Sequence, residues 1–252
     1  MAETFIIRGF WGSRAETDAG LAERIGSLLG RLGAILPGGV DRWELAKREP
    51  LAVADQAGLE SYVRELAEKG RRESPGLGVI FVSTGKGSDG AWFRLTLSAG
   101  GTVLGPRQMN SIVLKLVWPS GAVDAQLGMA RDALVALAEE CDPDWGDIWT
   151  HQLSNALRGR AEERKRAPSA GYSYYLSGLR WTAATAASLP GRQRELARGG
   201  VVSLDGERDC LPPADQVVAL DQALASAGAF EPIPVEPPRL RLADLPFHQE
   251  RG

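Results

Sequence analysis

The chain predicts an α+β fold: a mixed, largely antiparallel sheet flanked by helices. Two observations carry that expectation. Three β-rich runs, "LGVIFVSTG", "AWFRLTLSAG" and "NSIVLKLVW", follow one another with no helical stretch between them, which is the pattern of a meander. Amphipathic helical stretches stand before and after this block rather than alternating regularly with single strands, and no repeat of fixed period is seen.

The elements follow in order. "TFIIRGFWG" alternates and ends in glycine, so it reads as a first strand. A helix follows, with Leu21, Ile25, Leu28, Leu29, Leu32 and Ile35 on one face, and Pro37 with Gly38 and Gly39 stops it. "VDRWELA" suits a short strand. Asp55 is placed to cap a second helix that carries Leu59, Tyr62, Val63 and Leu66 and closes at Gly70. After the meander, "AVDAQLGMARDALVALAEECD" puts Val123, Leu127, Leu134, Leu137 and Cys141 on one face, and Pro143 ends the helix.

"WGDIWTHQL" then reads as a short strand, "SNALRGRAEERKR" as an arginine-rich helix and "GYSYYLSG" as an aromatic strand. The stretch onward to Arg198 fits neither period. "GGVVSLD" is a further strand, and "PADQVVALDQALASAG" is a last helix with Pro213 near its first turn, where the missing N–H is not needed. Residues 1–230 are expected to form one α+β domain. Residues 231–252, "EPIPVEPPRLRLADLPFHQERG", form a Pro-rich tail that favours an extended conformation.

Composition narrows the function classes. The 252 residues are 44% hydrophobic and 24% charged, as in ordinary globular domains. Lys plus Arg number 29 against 32 Asp plus Glu, so a formal charge of −3 gives no overall pull toward nucleic acid or an anionic membrane. The two cysteines, Cys141 and Cys210, form no CxxC or CxxH pair. No apolar run reaches the roughly 18 to 20 residues of a membrane span, and the N-terminus lacks the marks of a secretory signal, so a cytoplasmic protein is expected.

The chemistry-bearing residues concentrate in "CDPDWGDIWTH". Asp142, Asp144 and Asp147 are hard oxygen ligands, but a calcium loop beginning at Asp142 would place Asp147 where glycine and Leu153 where glutamate are required. Cys141 and His151 are two of the four ligands that zinc takes. Cys141 as a nucleophile is disfavoured by its place on an apolar helix face. No GxSxG elbow is present. "GKGSDG" lacks the GxxxxGK[ST] order and joins two strands, so it reads as a hairpin turn. The basic run Arg158, Arg160, Arg164, Lys165 and Arg166 is interrupted by Glu162 and Glu163 and reads as a solvated helix face. These readings leave no catalytic set, no metal site and no cofactor.

Seven tryptophans are present, and core packing accounts for most of them. Trp145 differs in its setting, because the stretch Glu139, Glu140, Asp142, Asp144 and Asp147 surrounds it with five acids and no base. An aromatic anchor ringed by carboxylates suits contact with a basic partner. The same residues equally suit a buried indole beside a solvated helix end.

The N-terminal "FIIRGFWGSR", Trp43, "NSIVLKL", "DPDWG" and the late "GGVVSL" run resemble immunity protein family 52, across Thr4 to about Phe230; the Pro-rich tail lies outside that pattern. The resemblance implies a non-enzymatic cognate antitoxin that neutralises a secreted bacterial toxin, of nuclease type and delivered by a type VI or related secretion system. The partner is then that effector, with no nucleic acid, membrane or cofactor involved. Two alternatives remain: an adaptor or chaperone that loads an effector, and an enzyme of unknown type using Asp142, Asp144 and His151.

Overall fold

In a computed structural model, the described residues are 4–14, 16–35, 39–40, 42–45, 49–52, 54–73, 78–87, 90–101, 110–119, 121–157, 170–207 and 210–230. They build an open ten-stranded sheet in the order β3-β2-β4-β5-β6-β1-β7-β8-β10-β9, every pair antiparallel. The strands are β1 (Thr4–Trp11), β2 (Arg42–Leu45), β3 (Leu51–Ala52), β4 (Val79–Lys86), β5 (Trp92–Ala99), β6 (Asn110–Val117), β7 (Trp145–Thr150), β8 (Ser173–Ser177), β9 (Arg192–Leu196) and β10 (Gly199–Ser203). The helices are α1 (Asp18–Ile35), α2 (Gln56–Glu73), α3 (Val123–Cys141), α4 (His151–Leu157), α5 (Ala183–Ser188) and α6 (Ala214–Ser226).

The α+β architecture agrees with the sequence reading, and so does the meander β4-β5-β6. Its first turn closes where "GKGSDG" stands, with Gly87 N–H donating to the Ala91 carbonyl at 2.8 Å. Asp55 caps α2, its Oδ1 accepting from Gly58 N–H at 2.9 Å. The helix nevertheless runs past Gly70 to Glu73, because one glycine lowers helix propensity without ending a helix. The stretch before Arg198 resolves into α5 and β9, and β3 is a two-residue strand too short to leave a periodic signal. Pro37, Gly38, the basic run from Arg158 to Arg166 and the Pro-rich tail lie outside the described residues.

One face of the sheet is dry. Phe5, Ile7, Phe81, Phe93, Leu95 and Leu114, alternating along their strands, are 0% exposed and lie beneath α1, α2 and α3. The approach of α3 depends on two glycines paired in register, Gly9 of β1 and Gly146 of β7. A Cβ on Gly9 would sit 2.7 Å from Leu137 Cδ2, and one on Gly146 would sit 3.2 Å from Leu134 Cδ1 and 2.7 Å from the Arg8 carbonyl oxygen. Side chains there would push the helix off the sheet.

The opposite face changes character from one side to the other. Over β7, β8 and β10 it is covered: Trp145 and Tyr174 stack at 5.9 Å, Phe230 meets Tyr174 edge-on at 6.2 Å, and Trp181 lies over Gly200. Over β4, β5 and β6 the outward side chains are half-buried or exposed, with Ile80 66% exposed.

Candidate functional site

Asp142 to Asp147 stand where α3 turns into β7. Asp142 adopts a left-handed conformation, φ 46°, as the residue that ends α3. Arg14 reaches back to this end and donates to the carbonyls of Cys141 at 2.7 Å and Asp142 at 3.2 Å, so a cation meets the negative end of the helix dipole. Burial lowers the Arg14 pKa, against the opposing charges of Glu16 and Asp142.

Trp145, which suited a surface anchor and a buried indole equally, is 1% exposed; it packs on Phe10 at 4.5 Å and stacks on Tyr174. Asp144 is 4% exposed and accepts from Gly12 N–H at 3.2 Å, which ties "DPDWG" to "GFWG". Asp147 is 0% exposed. Both its oxygens are held by Arg8, at 2.8 and 2.5 Å, and Trp149 Nε1 donates a third hydrogen bond at 2.9 Å. Burial pushes the Asp147 carboxyl upward while Arg8 and the indole N–H pull it back. Arg8 also stands over the Trp149 ring, 5.0 Å from its centroid.

Glu139 and Glu140 keep part of their surface but share Arg31, at 2.5 and 3.0 Å. Asp142 stands 3.9 Å from Arg198. Four of the five acids that lack a base along the chain, Glu139, Glu140, Asp142 and Asp147, therefore meet Arg31, Arg198 and Arg8 in space, while Asp144 is held by the Gly12 N–H. Trp145, Asp144 and Asp147 serve the interior, and the surface left to Glu139, Glu140 and Asp142 is shared with arginines rather than purely acidic.

Cys141 is buried, and burial raises its thiol to about 12, so the thiolate that nucleophilic chemistry needs is suppressed. His151 is exposed at the start of α4. Among the described residues no group of three or more His, Cys, Asp and Glu is placed to hold a metal ion. A cleft between α4 and the start of α6, lined by Leu153, Ala156, Tyr172, Cys210, Leu211 and Pro213, presents mostly apolar walls. No described helix is long and apolar enough to cross a membrane.

The open sheet face escaped the sequence reading. Trp92 lies on it, outside the core that takes up Trp11, Trp43, Trp118 and Trp145 and against which Trp149 and Trp181 pack. Its signal was the alternation within β5 and β6, where Trp92, Arg94 and Lys115 fall on the face opposite Phe93, Leu95 and Leu114.

No protein-family model matches the chain, and no curated protein matches it. The likeness to immunity protein family 52 thus rests on its short motifs alone. Among solved structures the fold is similar to that of a Pseudomonas aeruginosa T6SS (type VI secretion system) protein, PA0821. The two share 14% identity at a TM-score of 0.51, over 96% of this chain and 79% of that one.

Proposed function

We propose that the chain is an immunity protein of a type VI secretion system. It binds a toxic effector, of the nuclease class implied by the motif resemblance, and neutralises it by protein–protein contact without catalysis of its own. The fold shared with a T6SS protein across 96% of this chain is the observation that carries the reading. The order of "GFWG", "NSIVLKL", "DPDWG" and "GGVVSL" along the chain adds to it.

The test is co-expression with the product of the neighbouring gene, read by growth and by co-purification. An immunity protein restores growth and elutes with the effector at a fixed ratio. The contact area expected is roughly 1,200 to 2,000 Å² in total. Co-purification with undiminished toxicity would identify an effector-loading adaptor instead. Growth rescue by a different gene, with no complex formed, would remove the immunity reading.

A further inference from the structure

Deepening that reading and resting on it, we infer that the open face of β4, β5 and β6 is the surface that engages the effector, and that it recognises an acidic, apolar patch on it. Ile80, Val82, Trp92 and Val113 stand outside the hydrophobic core and its packed margin, yet share one face. Apolar side chains gathered on one uncovered sheet face mark a contact surface.

Charge selects the occupant. Arg94 and Lys115 are direct cross-strand partners, two cations side by side on neighbouring strands. Like charges so placed destabilise a sheet. Along the described parts of β2, β4, β5, β6 and β1, the carboxylate on this face is Glu44, and it pairs with Lys86 at 3.0 Å. Lys115 instead stands 5.9 Å from the Trp92 ring centroid. A chain with a net charge of −3 thus carries a basic, aromatic and aliphatic face whose central cations have no carboxylate beside them among the described residues. A carboxylate from the partner, set among apolar side chains, would relieve the repulsion while the aliphatic rows lose water.

This surface fits a region of a nuclease effector away from its basic, DNA-holding cleft. Inhibition would then act by blocking assembly or approach rather than by imitating the phosphate backbone. A nucleic acid would also answer to cations and an indole, but aliphatic side chains flanking them favour a protein.

The experiment measures affinity between the purified full chain and the neighbouring-gene effector, carried as a catalytically dead variant, together with thermal melting. Two double variants are compared with wild type: Arg94→Thr with Lys115→Thr, and Arg94→Glu with Lys115→Glu. Arg64→Glu, on the exposed side of α2, is the matched control. The threonine pair removes the like-charge contact, so it should melt no lower than wild type while binding about 30-fold more weakly; the glutamate pair should bind weaker still, and the control should bind as wild type does.

Wild-type binding with unchanged affinity in both double variants would overturn the surface and leave the immunity reading standing. Absence of wild-type binding would overturn both. A wild-type chain that binds a 20-nucleotide single strand at physiological salt, in competition with the effector, would overturn the protein-patch assignment in favour of nucleic acid.

Discussion

At the scale of single residues, Asp147 shows how an acidic run can turn inward. Its carboxylate is 0% exposed and accepts three hydrogen bonds, two from Arg8 across 139 positions of chain and one from Trp149 two positions on. That distance in sequence explains why the corner looks unpaired when read linearly. Asp147→Asn keeps the shape but leaves Arg8 facing a neutral amide. It should lower unfolding stability by about 2 to 3 kcal/mol, toward the low end for a broken buried pair because the Arg8 side chain keeps 27% of its surface. Urea denaturation of the two proteins measures this; a loss under about 0.5 kcal/mol would mean the pair is solvated in solution. The cysteines provide a second check. Cys141 is 1% exposed with its thiol raised to about 12, whereas Cys210 is exposed. A thiol-specific chromogenic disulfide at pH 8 should titrate one thiol per native chain and two after denaturation.

At the scale of elements, "GFWG" and "DPDWG" acquire a shared structural reason. "GFWG" contributes Gly9 and Phe10, "DPDWG" contributes Trp145 and Gly146, and the sheet register sets Gly9 opposite Gly146 and Phe10 opposite Trp145. The glycines let α3 approach, while the aromatic pair fills the other face. Gly146→Ala should therefore cost about 1 to 3 kcal/mol, since the new methyl meets the Arg8 carbonyl oxygen at 2.7 Å, an atom that moves only with its strand. A urea midpoint equal to that of wild type would show that β1 and β7 slide apart without penalty.

Most elements were legible because alternation and 3.6-residue spacing survive wherever one face is buried. Two things were not. The covering of Trp145 depends on Tyr174, which comes from β8 and stands nowhere near it in the chain. The open face was hidden because β4 is apolar on both sides, with Val79 and Phe81 beneath the helices and Ile80 and Val82 outside.

At the scale of the whole molecule, burial of groups that ionise only at high pH ties stability to alkalinity. Burial raises Cys141 to about 12, lifts Tyr174 well above its ordinary value, and raises Tyr175, whose hydroxyl donates to the Arg198 carbonyl at 2.8 Å. Folded chains hold these three protons more tightly than unfolded ones do. Below about pH 7.5 both states keep them and the fold has its full stability. As pH rises past the ordinary cysteine value and then the tyrosine value, the unfolded chain releases protons that the folded chain retains, so stability falls. Each group titrating in the unfolded state alone adds a slope of about 1.4 kcal/mol per pH unit. Melting temperature should accordingly be level up to about pH 7.5, begin to fall between about pH 8 and 9.5 as the cysteine titrates, and drop more steeply from about pH 9.5 to 11. Cys141→Ala should flatten the first part of that drop, where the cysteine titrates before the tyrosines. A wild-type melting temperature that holds level through pH 11 would show that water reaches all three groups, and with it that the packing of α3 and β8 on the sheet is looser than these burials require.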